Sequence, residues 1–255
     1  MWQGHSVSVV LPTYRERESI RGIVLDFFNT GVVDEVIVVN NNAEPGTSDA
    51  IADTGAREVH EPMQGYGYAI RRGLKEANAD YIAVCEPDAT FVARDIFKLL
   101  AYADNFDIVY GSRTSLQLVW TGANMGWFLR WGNWFVAKYL EFLFNATNLT
   151  DVGCTMRLTT KQAALALAPL FRIGGSEFGP EMMIRSLRAG FRVIQIPVNY
   201  RPRVGSSSVT GDPVKAVRLG LRMIALITTS RFERATSAPV SHSGSASTPR
   251  SDLPQ

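Results

Sequence analysis

The sequence predicts an α/β domain on a mostly parallel central sheet, and three observations lead there. Short continuous apolar runs at residues 7–11, 36–39 and 81–85 cannot alternate faces, so they read as strands buried on both sides. Segments with helical spacing separate them, the alternation that gives right-handed crossovers and parallel pairing. Polar motifs follow each run directly, at the carboxyl ends of strands where open α/β sheets bind ligands.

The chain is organised around residues 80–91, where the apolar run Tyr81 to Cys85 gives way to Glu86-Pro87-Asp88. Pro87 stops further ladder pairing. Two carboxylates at such an edge repel unless a cation lies between them, and oxygen ligands of this kind suit Mg²⁺ or Mn²⁺ held together with substrate phosphates. Taken alone, the stretch is equally a polar strand-end loop.

In chain order, residues 7–11 form a strand ended by Pro12-Thr13-Tyr14, and Ile20, Ile23, Val24, Phe27 and Phe28 set a helix over 16–28. Residues 36–39 form a second strand, stopped by Asn40-Asn41-Asn42, with a helix from 48 to 54 and a short edge-like strand over 58–61. Gly65 and Gly67 open a basic helix over 69–77 and would let backbone approach a phosphate at its N-terminus. A glycine pair is also explained by chain reversal. Residues 95–103 read as a helix and 107–111 as a strand that delivers Ser112-Arg113 to the sheet edge.

Next comes an aromatic segment, with Trp120, Trp127, Trp131 and Trp134 preceding Phe135, Tyr139, Phe142 and Phe144 on one helix from Trp127. Arg130, Asn133, Lys138 and Glu141 interrupt it, so it cannot span a bilayer. It suits a membrane interface or the mouth for an apolar-tailed substrate, and equally a core or dimer helix. Residues 150–157 read as a polar turn carrying Asp151 and Arg157, 161–168 and 181–189 as helices, and 191–198 as a strand. Residues 200–208 form a basic loop suited to close over an anion.

Residues 213–230 form the last helix, with Lys215, Arg218 and Arg222 on one side of a wide apolar face. That pattern fits an anionic bilayer or a helix packed back on the domain. Residues 235–255, rich in Ser, Pro, Thr and Ala, are expected to be a disordered tail. The expected organisation is a domain over 1–210, an amphipathic helix over 211–234 able to associate with a membrane, and the tail.

At net charge +2 over 255 residues, bulk charge gives no nucleic-acid footprint. Cys85 and Cys154 lack metal-type spacing and fit a reducing compartment. No signal-peptide pattern and no apolar run of spanning length occur, which leads to the expectation of a protein on the cytoplasmic side, peripheral to the membrane.

Residues 10–16, 38–42, 64–69, 86–88, 111–113, 151–157 and 201–203, in this order and spacing, resemble the family 2 glycosyltransferases, and most of all the dolichol-phosphate mannose synthases and related polyprenyl-phosphate sugar synthases. The resemblance implies a GT-A (Rossmann-like) three-layer fold and transfer of a hexose, with inversion, from a UDP- or GDP-linked nucleotide sugar to a polyprenyl phosphate. It assigns Pro12, Thr13, Tyr14, Glu16, Asn41, Gly65, Gly67 and Pro87 to the donor. Glu86 and Asp88 match the family's Asp-x-Asp metal motif, with Asp88 the safer ligand because Glu86 is longer by a methylene. Arg113 and Arg130 match arginines for the acceptor phosphate, Asp151 and Arg157 a loop beside the donor sugar, and Arg203 a clamp on the diphosphate. Asn41 stands where the family has an aspartate, which leaves the base open. The sugar, lipid length and oligomeric state, a homo-oligomer included, are left open too.

A phosphate acceptor arrives ionised, its second pKa being about 6, and needs no general base. Two rivals remain: a transferase to a hydroxyl, for which Glu181 could be the base, and a non-catalytic nucleotide-sugar-binding protein.

Overall fold

Among the described residues, which in this computed structural model are 1–123, 126–146, 148–205 and 213–233, seven strands make one sheet. They are β1 (Val7–Thr13), β2 (Glu35–Asn40), β3 (Arg57–His60), β4 (Tyr81–Val84), β5 (Ile108–Ser112), β6 (Arg157–Thr160) and β7 (Val193–Pro197). Their order is β3-β2-β1-β4-β6-β5-β7, and only β6 runs antiparallel to its neighbours. Strand order reverses between β1 and β4, so the ends of these two strands open a crevice at the carboxyl edge.

Every residue of β1 is buried, as an uninterrupted apolar run requires. Its side chains divide between two cores: Val10 packs with α3 (Tyr66–Glu76), α5 (Trp127–Phe144) and α7 (Phe178–Arg188), while Val9 and Leu11 pack with α1 (Arg17–Phe28) and α4 (Ile96–Leu100). The result is three layers, each face driven by burial worth about 1.5–3 kcal/mol per large apolar side chain. The shorter α2 (Thr47–Ile51) and α6 (Lys161–Leu167) complete the crossovers.

Two expectations are corrected. Arg157 lies not in a turn but at the start of β6, inserted between β4 and β5. With Leu158 its one large apolar residue, β6 carries no hydrophobic run, and ladders on both sides hold it. The helix expected over 95–103 is a 3-10 turn, Ala93–Asp95, continued by the short α4.

The last helix, α8 (Pro213–Phe232), packs on the domain: Met223 and Ile227 are buried in the same core as α5 and α7. The Tyr139 and Thr228 hydroxyls share a hydrogen bond of 2.8 Å, and Arg222 pairs with Glu177. Val214, Val217 and Leu221 face outward. The Lys215 side chain, residues 206–208 of the basic loop and the expected tail lie outside the described residues.

Candidate active site

The carboxyl ends of β1, β2, β4 and β5, the start of β6 and the segment after β7 surround a cleft of about 600 Å³. Pro12, Thr13, Tyr14, Glu16, Asn41, Glu86, Arg113, Arg157 and Arg203 line it. Residues far apart in sequence meet there because their strands share a direction.

Glu16 organises the loop after β1, with Oε2 accepting from the backbone N–H groups of Tyr14 and Arg15 and from the Thr13 hydroxyl. Its Oε1 faces Arg203 Nη2 at 3.4 Å, and the same nitrogen lies 3.1 Å from Asp88 Oδ2. Asp88 is 1% exposed, and its Oδ1 accepts from the Thr90 amide and hydroxyl. Backbone bonds from Arg201 to Thr90 and from Val204 to Asp88 fix the arginine's segment along the acidic turn. Pro87 is buried away from the cleft, its carbonyl accepting from Ser19.

Of the two acids in Glu86-Pro87-Asp88, Glu86 is the one that lines the cleft, and its carboxylate has no hydrogen bond or ion pair among the described residues. Burial and the neighbouring Asp88 push its pKa up to about 8, against the pull of Arg203 and Arg113. A divalent cation would relieve that, and two carboxylates at a sheet edge are a donor set that Mg²⁺ or Mn²⁺ accepts. No group of three or more His, Cys, Asp or Glu suited to a metal occurs among the described residues, so further ligands would have to come from substrate or water. In the free cleft Glu86 presents an unpaired carboxylate, while Asp88 is engaged by Arg203.

Arg113 and Asp151 form a buried fork, Nε to Oδ2 at 2.8 Å and Nη2 to Oδ1 at 3.0 Å, with the Arg113 and Gly153 amides donating to the same carboxylate. Burial alone would raise the Asp151 pKa, but the Arg113 charge and these bonds hold it below the usual range. Asp151 therefore holds Arg113, which stacks on Tyr200 at 5.2 Å and lines the cleft. Asp151 does not itself line the cleft. Arg130 is not brought there either; on α5 the lining positions are Phe128, Leu129, Gly132, Asn133, Phe135 and Val136, a different stripe. Arg157 does line it, 1% exposed, donating to the Cys154 and Thr155 carbonyls and lying over the Tyr110 ring.

Asn41 uses its whole amide on the next loop. Nδ2 donates to the Glu61 and Met63 carbonyls, and Oδ1 accepts from the Gly65 amide and Gln64 Nε2. A carboxylate could not make the two donations, which gives the asparagine a physical reason. The glycines also have a different reason from the expected one. A Cβ on Gly65 would come within 2.2 Å of the Gly174 carbonyl oxygen, and one on Gly67 within 2.5 Å of that of Ile173. The Gly67 and Tyr68 amides donate to Gly174, so these α3 N–H groups are taken rather than offered to phosphate. Glu181 props the same segment: its two oxygens accept from the Arg172 and Ile173 amides, and it does not line the cleft. A base role for Glu181 finds no support in that geometry.

Sequence reasoning missed Tyr66 and Thr155, which line the cleft with buried hydroxyls that have no partner among the described residues. The available signal was Tyr66's place between the two glycines. It also missed that α8 forms a wall, where Val217, Leu221 and Ile224 oppose Phe128, Leu129 and Phe135 of α5. The mouth is apolar, and Trp127, Phe128, Trp131, Phe135, Val217 and Leu221 are exposed around it.

The chain is similar to known proteins in sequence and in fold. The description Glycosyl transferase family 2 matches residues 8–166. An uncharacterized glycosyltransferase of Mycobacterium tuberculosis is 32% identical over 206 residues, 80% of this chain and 89% of the relative. A dolichyl-phosphate hexose transferase of Haloferax volcanii is 25% identical over 209 residues, 81% of this chain and 87% of the relative. The crystal structure of glucosyl-3-phosphoglycerate synthase from Mycobacterium tuberculosis, in complex with Mn²⁺, UDP and phosphoglyceric acid, superposes with a TM-score of 0.67 at 16% identity, covering 90% of this chain and 79% of that one. That likeness establishes a GT-A-like fold. With the family profile spanning more than half of the sequence and the mycobacterial relative matched along most of both chains, the chain belongs to glycosyl transferase family 2.

Proposed function

We propose that this chain is a hexosyltransferase that moves a sugar from a UDP- or GDP-linked donor to a polyprenyl phosphate at a membrane surface, with Mg²⁺ or Mn²⁺. The observation that carries the reading is a single cleft with acids and arginines at its floor and an apolar mouth between α5 and α8. A phosphate on an apolar tail matches both ends of that cleft. The Haloferax relative, named for a dolichyl-phosphate acceptor, supports the same choice. No helix among the described residues is long and apolar enough to cross a membrane, which agrees with peripheral contact through residues 211–234 and α5, beside a catalytic domain over 1–210. Two free, buried cysteines suit the cytoplasmic side.

The acceptor phosphate, already ionised, attacks the anomeric carbon as the bond to the diphosphate oxygen breaks. One displacement inverts the centre, and no base is required. Arg113, held by Asp151, orients the attacking phosphate through charge-assisted bonds. Arg203, now on Asp88 and Glu16, neutralises the departing diphosphate. Glu86 and Asp88 would hold the divalent ion, which, when bound, makes the diphosphate a better leaving group.

The test is transfer by purified protein, with Mn²⁺ or Mg²⁺ and radiolabelled UDP-glucose or GDP-mannose, to polyprenyl phosphate or to phosphoglycerate. Label in the organic phase from one donor is expected. Label only in phosphoglycerate, or none while nucleotide still binds, would sink the lipid acceptor.

A further inference from the structure

Two hydroxyls on the cleft wall are anomalous. Tyr66 Oη and Thr155 Oγ1 are buried without a hydrogen-bond partner among the described residues, although both residues line the cleft. A buried polar group left unmade costs about 1–3 kcal/mol, so such groups persist mainly where something else satisfies them. Beside them, Arg157 is fully buried and has no carboxylate partner among the described residues; it donates to the Cys154 and Thr155 carbonyls and the Met182 sulfur.

The three groups come from elements that the sequence gives no reason to join: the first residue of α3, the loop before β6, and the first residue of β6. The antiparallel insertion of β6 beside β4 brings them together. Tyr66 and Arg157 line the same cleft, and burial pushes the Tyr66 phenol well up against the pull of the Arg157 charge. Tyr66 therefore stays a neutral hydroxyl that can both donate and accept.

We infer that Tyr66 and Thr155, backed by Arg157, are specificity-determining residues that read hydroxyl groups of the donor's hexose. This rests on the nucleotide-sugar reading above. The chemistry separates this subsite from the phosphate positions. A diphosphate or metal-bound oxygen wants charged partners, and these stand elsewhere, at Arg203, Glu86 and Asp88. Sugar hydroxyls both donate and accept, which suits two neutral hydroxyls, and Arg157 adds N–H donors. Its stacking on Tyr110 at 5.6 Å and its two carbonyl bonds hold its orientation, so the subsite is rigid before ligand arrives.

The experiment measures Kd by calorimetry, with Mn²⁺, for UDP, GDP, UDP-glucose and GDP-mannose on the full chain and on Tyr66→Phe and Thr155→Val. Both changes keep shape and remove one hydroxyl, and a thermal melt checks that each variant folds. The two are independent, so failure of one to fold leaves the other to decide. Each variant is expected to lose about 3- to 10-fold in affinity for the sugar nucleotide that the wild type binds, the worth of one neutral hydrogen bond. Affinity for the matching nucleoside diphosphate should stay unchanged. Equal Kd values for variant and wild type would overturn the inference, as would equal losses for diphosphate and sugar nucleotide, which would mean a phosphate subsite. A wild type that binds no nucleotide would overturn the donor reading itself, and this inference with it.

Discussion

Arg203 Nη2 lies 3.1 Å from Asp88 Oδ2, so in the free cleft a guanidinium neutralises one of the two acids expected to hold a metal. The same nitrogen is shared with Glu16 at 3.4 Å. On the proposed mechanism a cation and Arg203 would compete for Asp88 until a diphosphate drew the arginine off. Replacing Arg203 with Gln should tighten binding of Mn²⁺ alone, read by titration without nucleotide, and weaken the nucleoside diphosphate at least about tenfold, the smallest step worth a charge-assisted bond. Unchanged Mn²⁺ affinity would show that the arginine does not guard the site.

The fork between Arg113 and Asp151 predicts an asymmetry. Removing the acid by Asp151→Ala leaves a largely buried guanidinium unpaired and should cost about 3–5 kcal/mol. Removing the base by Arg113→Ala leaves Asp151 still accepting from the Arg113 and Gly153 amides, so stability should fall less while transfer is lost. Urea melts of both variants decide it. A smaller loss for Asp151→Ala would refute the positioning role.

Asn41→Asp replaces an amide that donates to two carbonyls by a carboxylate that faces them. Destabilisation of about 1–3 kcal/mol is expected, the cost of buried polar groups left without partners. Preference between UDP and GDP should not change, because no atom of the Asn41 amide is left free to read a base. A switch of preference with unaltered stability would contradict this.

Glu86 gives a pH signature. Its folded pKa, pushed up to about 8, lies above the ordinary carboxylate value, so the folded state binds the proton more tightly than the unfolded state. The stabilising contribution is complete below the ordinary value and is lost as pH rises through about 8. In metal-free protein with chelator, Glu86→Gln should match the wild type near pH 5 (about the upper end of the ordinary range) and melt several degrees higher above the folded pKa. Parallel melting curves across that window would disprove it.

Much of this was legible because buried parallel strands announce themselves. The unbroken apolar runs of β1, β2 and β4 mark strands buried on both faces, and the polar residues after them had to meet at one edge. β6 was illegible because its cross-strand partners, not its composition, make it a strand. The roles of Gly65, Gly67 and Glu181 were illegible for a related reason: each is set by contact with residues 172–174, more than a hundred positions from the glycines, and no local pattern reports such a contact. The same limit hid the Arg113–Asp151 fork, where two residues each readable as a ligand contact also bind one another.

The apolar mouth gives the last prediction. Trp127 is 71% exposed and Trp131 50% exposed on the first turns of α5, neither lines the cleft, and Val214, 70% exposed, continues the surface on α8. Tryptophans of this kind settle at the headgroup level of a bilayer, and basic residues near an anionic surface add about 1 kcal/mol each. Arg218 is exposed on α8 to supply such a charge. The double change Trp127→Gln with Trp131→Gln should therefore reduce co-sedimentation with anionic vesicles by at least about tenfold, roughly the loss of one buried large side chain, while nucleotide affinity is kept. Transfer to a short, water-soluble prenyl phosphate should survive the change, whereas transfer to a long chain embedded in vesicles should fall with binding. If vesicle binding persists in the double variant, the membrane meets another face of the protein, and the α5–α8 mouth serves the acceptor tail alone.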